Sequence, residues 1–512
     1  MFIEASADTD VRAQRALRDL VGAATLKEAR RAVNALVAAG YDWVPLGGKE
    51  GNFGLVNIGS DPGFAFVERI TNALDAMVDE AAREAGPAVM ASLDSPRAAV
   101  AALFGIPEGR IMHAGGERQA ELARGVHISI CDGTTVARPV LEVRDRGTGL
   151  APEAMPSSIL NLAGSNKIAK PYLAGAYGQG GSTTFAFSPQ GTLIASATDD
   201  SRIGVTFVRY RELDARKNKN GRYEYLVPPG GTRVGTLARD AVSFARGTLV
   251  RHYDYDLAGY TNDACEPVES LLALAQTAMF DPILPFTIVE RRTRFARDEG
   301  ARTIVYAGRF ARLQSASATE VEYAQSIAIP LTQHRADDVA VAHYWILTQP
   351  NPRLHPDPPH PITMTNFGQT HGSEDRRLIV DALRLPFLKN ELVVQIELDG
   401  LSAASKRALL STTRDRLKRG SRYRTLIETI VEALADDEML QAVNTRRRLQ
   451  LLDRQHKTDQ KKLRRRFAEL VEKFWPRRRT GSEARERRNK RHDCTGTCLR
   501  GRTRARAAAA HA

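Results

Sequence analysis

The chain has 512 residues, 43% of them hydrophobic, and a net charge of +13. That length exceeds what one core usually serves, so two or three domains are expected, and no apolar run approaches the roughly 18 residues that a helical membrane span requires. The four cysteines, Cys131, Cys265, Cys494 and Cys498, are too few and too scattered for a disulfide framework.

The N-terminal stretch MFIEASADTDVRAQRALRDL carries early acids and lacks an apolar core, so it does not read as a secretory signal, and a cytoplasmic location is expected. Residues 10–40 read as two amphipathic helices, with Val11, Leu17 and Leu20, then Leu26, Ala29, Val33 and Leu36, on their apolar faces. A glycine-rich segment, LGGKEGNFGLVNIGSDPG, follows, and its Asp61-Pro62 is a helix-start signal. The run FAFVERITNALDAMVDE then places Glu68, Asn72 and Asp75 at i, i+4 and i+7, one narrow polar stripe at about 3.6 residues per turn. Val67, Ile70, Leu74, Met77 and Val78 fall on the adjoining face, as in a helix packed on a sheet. A stripe bordering a core face can line a pocket: an amide suits a hard divalent cation or its water shell, and a carboxylate one turn earlier can polarise an attacking water. A solvated helix face has the same pattern.

A helical insertion over residues 96–104 precedes two alternating runs, VHISICD and PVLEVRD, which read as neighbouring strands. The second delivers Asp145 into a turn with Gly147 and Gly149. A carboxylate there can accept from an exocyclic amine, and glycines let a flat ring lie against backbone; an ordinary structural turn has the same composition. In GAYGQGGSTT, Gly175, Gly178 and Gly180 expose backbone N–H groups suited to an anion, and a helix opening after them would add its positive end. Strands follow at GTLIASAT, GVTFVRY, YEYLVP and RGTLVRHYDYD; the last carries Thr248 at its head, where a hydroxyl can bond the group that Asp145 holds, although Gly-Thr begins many strands. From about 262 to 420 the pattern changes to strands with crossover helices: PITMTNFG, a helix-like SEDRRLIVDAL and LVVQIEL have the order of a βαβ unit. Beyond Arg422 runs a long charged helical stretch whose Leu463, Phe467, Leu470, Val471 and Phe474 mark a docking or self-association face. Residues 477–506 hold twelve Lys or Arg against three acids, nine of the net thirteen charges, so the tail is either a polyanion grip or a solvated disordered extension.

The order helix, strand-turn, glycine loop and strand resembles the nucleotide-binding boxes of the GHKL ATPase superfamily, which includes DNA gyrase, the heat-shock-ninety chaperones, histidine kinases and MutL mismatch-repair proteins. GAYGQGGST and VERITNALDAMVDE are also similar to microrchidia-type ATPases and their prokaryotic relatives. The resemblance covers roughly residues 40–260. It implies that ATP and Mg²⁺ are the cofactors, that Glu68 is the general base for the water attacking the γ-phosphate, and that Asn72 is the Mg²⁺ ligand. Asp145 would accept the adenine amino group, Gly147 and Gly149 would shape the turn at the ring, and Thr248 would complete the adenine site. Gly175, Gly178 and Gly180 would lie in the lid over the phosphates, with Ser165 and Lys167 of AGSNK beside it. Asp75 matches the pattern as a supporting residue.

The implied fold is α+β. A Bergerat-type ATPase α/β sandwich over residues 46–260, with helices on one face of a mixed sheet, follows an N-terminal helical segment, 1–45. A transducer-like βαβ domain, 261–420, a charged helical or coiled-coil region, 421–476, and a basic, disordered tail, 477–512, complete the chain. LLSTTRDRL resembles the heat-shock-ninety segment that carries a phosphate-sensing arginine, which makes Arg414 the candidate sensor; a surface arginine beside Asp415 is the alternative. The expected activity is Mg-dependent ATP hydrolysis driving an ATP-gated clamp that is a homodimer when ATP is bound. Its expected substrate is DNA or RNA, gripped through the basic C-terminal region and the clusters Arg446–Arg448 and Lys461–Arg466, with no membrane involved. A chaperone acting on protein clients is the alternative. HDCTGTC, with His492, Cys494 and Cys498, lacks a fourth ligand for structural zinc.

Overall fold

The computed structural model of the chain describes residues 7–57, 61–162, 169–175, 180–199, 202–214, 216, 219–231, 233–296, 302–331, 338–411 and 416–474. The chain divides into two units, Met1–Asn444 and Thr445–Ala512.

The two N-terminal helices are α1 (Ala7–Gly22) and α2 (Leu26–Ala38). A capping box starts α2: Thr25 Oγ1 accepts from Glu28 N at 3.3 Å, and Glu28 Oε2 accepts from Thr25 N at 3.0 Å. Ala13, Ala16, Leu17 and Leu20 form the packed face of α1, while Val11, expected on that face, is 66% exposed. After β1 (Asp42–Pro45) and α3 (Phe53–Val56) comes α4 (Pro62–Ala85). Asp61 caps it by accepting from Phe64 N at 2.8 Å, and Pro62 occupies the first turn, where no N–H is needed. Val67, Ile70, Leu74 and Val78 are buried as their spacing predicts.

Next come α5 (Pro87–Ser92), α6 (Pro96–Phe104), α7 (Gly116–Ala123) and the antiparallel pair β2 (Val126–Thr135) and β3 (Arg138–Asp145). The short α8 (Gly180–Thr183) leads to β4 (Thr192–Ala197), β5 (Arg202–Arg211), β6 (Arg222–Val227), β7 (Gly235–Ala238) and β8 (Gly247–His252). Then α9 (Leu271–Ala278) precedes β9 (Phe286–Glu290), which runs parallel to β2, and β10 (Arg302–Tyr306). These strands form one mixed sheet in the order β1-β6-β5-β4-β8-β3-β2-β9-β10, with β7 paired to β5. The sheet therefore continues past residue 260, the expected limit of the nucleotide-binding domain, to Tyr306.

Alternation along the strands assigns the two faces. On β4, Leu193, Ala195 and Ala197 pack with α1 and α2, whereas Ile194 packs with Leu46, Met155 and Phe185 on the opposite side. Val143 is the cross-strand partner of Val250, which in turn pairs with Ile194, so α4, packed on Leu141 and Val143, lies on that opposite side. Helices thus cover both faces, where the sequence reading placed them on one. The difference arises because the 1–45 segment joins the domain's own core instead of preceding it.

The second sheet follows α10 (Arg309–Gln314) and comprises β11 (Val321–Pro330), β12 (Val339–Leu347), β13 (Ile362–Asn366), β14 (Gln369–Glu374) and β15 (Leu392–Glu397), ordered β11-β12-β15-β13-β14. The parallel β13–β15 pair is the predicted βαβ frame. Its expected crossover helix is not: Gln369–Glu374 turns back as a strand, and only a π-helical turn, Leu378–Ala382, remains. Phe367 and Gly368, with φ of 47° and 74°, supply the left-handed pair that a two-residue hairpin requires. Then α11 (Ala403–Leu409), α12 (Ser421–Ala435) and α13 (Glu438–Phe474) close the described chain. The predicted single helical stretch is two helices, and Leu440 at the start of α13 belongs to the second sheet's core with Leu426 and Ile430 of α12. In the second unit α13 exposes Leu463 and Phe467, each 68% accessible. The tail with Cys494 and Cys498 lies outside the described residues.

Buried ion pairs join the two sheets. Asp281 Oδ2 accepts from Arg97 Nη2 at 2.6 Å and Arg110 Nη1 at 2.9 Å, and Arg110 Nη2 also pairs with Glu397 at 2.6 Å. Glu397, at the end of β15, lies 3.3 Å from His343 Nε2. Burial alone would raise the Glu397 carboxyl; the hydrogen bond with His343 and the Arg110 charge outweigh it and hold the group low, while burial beside Glu397 pushes Asp399 up.

Candidate functional site

A cavity of about 340 Å³ opens between α4, the ends of β3 and β8, and α8. Adjacency of three strands builds one end of it. In the sheet β8 lies between β3 and β4, and Ser196 is the cross-strand partner of Thr248. Asp145 Oδ1 accepts from Thr248 N at 3.2 Å and from Gly147 N at 2.9 Å. Ser196 Oγ lies 2.9 Å from Thr248 Oγ1 and accepts from Leu150 N at 2.8 Å, fixing the turn after Asp145 to β4. Both bonds to Asp145 fall on one oxygen; among the described residues Oδ2 accepts none. Asp145 is 5% exposed. Burial pushes its carboxyl up to about 7, against the smaller pull of the Gly147 and Thr248 N–H groups. A donor brought to Oδ2 would favour the ionised form.

The two turn glycines are required by close approach. A Cβ on Gly147 would meet the Ala76 backbone of α4 at 2.4 Å, and Thr148 N donates to Ala76 O at 3.2 Å, so the turn docks directly on the helix. Gly149 has φ of 63°, and a Cβ there would stand 1.9 Å from Ala197 O.

The carboxylates of α4 hold a further segment in place. Asp75 accepts from Ala174 N at 2.8 Å and Gly175 N at 3.0 Å, and Asp79 accepts from Lys170 Nζ at 2.7 Å and Tyr172 Oη at 2.8 Å. The Gly175 N–H, expected to face an anion, is therefore taken by Asp75. Asp75 thus ties the loop at Ala174 and Gly175 to α4.

Asn72, Gly181 and Ser182 also line the cavity, with Gly180 opening α8. A Cβ on Gly181 would lie 3.0 Å from both Asn72 Nδ2 and Arg69 Nη1. Glu68 is half-buried one turn before Asn72 and is not part of the cavity wall. The structure therefore brings Asn72, Asp145, Gly149 and Thr248 together around one space, with Gly147 behind the turn. Ser165, Lys167, Gly178 and Arg414 lie outside the described residues. Sequence reasoning missed Ser196, Arg69 and Gly181. The first was visible only as a polar residue sharing a period-2 face with Thr192 and Ile194 in a strand rich in apolar residues, and the other two sat inside motifs already singled out for their neighbours.

Neither a protein-family model nor a curated protein sequence matches this chain.

Proposed function

We propose that the chain binds ATP with Mg²⁺ in this cavity and hydrolyses it. The observation that carries the reading is the free Oδ2 of a buried carboxylate, beside a backbone-wide glycine turn and the Thr248 hydroxyl: an acceptor for an exocyclic amine with room for a flat ring. Asn72, one helical turn before the Ala76 contact of the Asp145 turn, suits a hard cation that takes most of its oxygen ligands from phosphates and water, and the ion would neutralise charge on the phosphate chain. Glu68, one helical turn away, is the candidate base for the attacking water, and closure of the site would bring it to the phosphate.

The activity belongs to an ATP-gated clamp in which two copies pair when nucleotide is bound, and nucleic acid is the substrate that its basic surface favours. Support comes from α13, where Arg446–Arg448 and Lys461–Arg466 share a solvated helix with the exposed Leu463 and Phe467. Among the described residues no helix is long and apolar enough to cross a membrane. The test is steady-state phosphate release by wild type and Glu68→Ala, with and without duplex DNA. Glu68→Ala is expected to bind ATP at wild-type affinity and to lose turnover by at least about a hundredfold, the usual contribution of a positioned base. Turnover that survives the substitution would remove Glu68 from the chemistry.

A further inference from the structure

We propose that Arg69 is the phosphate-binding cation of this cavity, held in cis on the same helix as Glu68 and Asn72. The inference rests on the nucleotide reading above. It names a contact that neither the motif order nor the glycine loop identified.

Arg69 is 4% exposed, yet its guanidinium forms part of the cavity wall. One of its nitrogens has a protein partner: Nε donates to Thr184 Oγ1 at 3.0 Å, and the ring of Phe185 lies beneath the guanidinium, 4.9 Å away. Among the described residues Nη2 is buried with no hydrogen-bond partner, and no carboxylate lies within ion-pair distance. Burial draws the group down to about 10, opposed by the charges of Tyr255 and Glu68, so it stays protonated at neutral pH. A buried cation of this kind is costly unless an anion answers it, because desolvation is large and a hydroxyl with an aromatic face compensates only part of it. Nη1, the nitrogen beside Gly181, is the one placed to donate to a phosphate oxygen while Nε keeps its bond to Thr184.

Position identifies which part of a ligand would be met. Arg69 Nη1 and Asn72 Nδ2 converge on the same point, the missing Cβ of Gly181, so only glycine leaves that space open for a ligand. Asp145, Gly149 and Thr248 line the same cavity, at the turn that docks on Ala76, one helical turn beyond Asn72 on α4. A ligand whose amine bonds Asp145 thus extends its anionic end toward Arg69. The preceding Glu68 gives the helix a carboxylate for water and a cation for phosphate in consecutive positions, pointing to different sides.

The test is calorimetric binding of Mg·ATP, adenosine and inorganic tripolyphosphate to the full chain as wild type, Arg69→Met and Arg69→Lys. Arg69→Met is expected to weaken Mg·ATP and tripolyphosphate at least about tenfold, as loss of a charge-assisted bond does, and to leave adenosine affinity unchanged. Should Arg69→Met fail to fold, Arg69→Lys decides: it keeps the charge, loses the guanidinium nitrogen held beside Gly181 by the Thr184 bond, and is expected to weaken Mg·ATP with adenosine unaltered. Equal affinities of the variants and wild type for Mg·ATP, or equal loss of ATP and adenosine, would overturn the assignment. Wild type that binds tripolyphosphate, lost in Arg69→Met, but neither ATP nor adenosine would sink the nucleotide reading and leave the anion site standing.

Discussion

Replacing Asp145 with asparagine separates what this residue does for the fold from what it does for a ligand. Burial carries the carboxyl from an ordinary 3.8 to about 7. At about 1.4 kcal/mol for each tenfold change in proton affinity, the difference is about 4 kcal/mol. Because the folded value is the higher one, this contribution to stability is fully present below 3.8 and is lost as pH rises through 7. Asparagine stays neutral throughout and can still accept from Gly147 N and Thr248 N. Urea unfolding of both proteins at pH 4.5 and pH 8 should therefore show the variant gaining on wild type by about 3 kcal/mol at the higher pH. Ligand binding should run the opposite way. An amine at Oδ2 needs the ionised carboxylate, so wild-type ATP affinity is expected to climb up to about pH 7 and then level off, while Asp145→Asn binds poorly at every pH. A stability difference that is the same at both pH values would refute the account of the buried carboxyl. Normal ATP binding by Asp145→Asn would refute the adenine assignment.

Gly149→Ala should cost at least about 2 kcal/mol in thermal or urea unfolding, from the left-handed backbone together with the Ala197 carbonyl in the path of the Cβ; wild-type stability would show that the turn relaxes freely. Arg110→Met leaves Glu397 with His343 but without its guanidinium partner and weakens the hold on Asp281, and should cost about 3 kcal/mol at pH 8. That loss should shrink only at strongly acid pH: Glu397 has a depressed pKa, so its pairing is present above the ordinary carboxylate range and disappears as pH falls through the lowered value. A full loss persisting there would assign the effect to packing of Arg110 on Phe310.

Much of the site was legible because its signals are local. The cap at Asp61 and the period of Val67, Ile70, Leu74 and Val78 are each determined within a few residues, and the glycines of the Asp145 turn are visible as a local pattern although distant backbones require them. What escaped was set at long range. Ser196 matters because β8 brings Thr248 beside it, and the loop at Ala174 and Gly175 is placed by Asp75, about a hundred residues earlier. The parallel pairing of β9 with β2 leaves no mark in either strand, so the first sheet was ended too soon. The Phe367–Gly368 turn escapes the sequence because phenylalanine rarely adopts positive φ, so the strand after it goes unread and the helix expected over residues 373–383 begins on its last two residues.

The ion pairs around Asp281 set a limit on how this molecule can move. Sliding one sheet over the other would separate Arg110 from Glu397 and Arg97 from Asp399 before water could reach them, a step with no gentle intermediate. The two sheets therefore behave as one lever arm. On the nucleotide reading proposed above, a displacement arising at α4 would be carried to β15 through Arg110 and Glu397, and closure would have to be sought between copies of the chain and not between the two sheets.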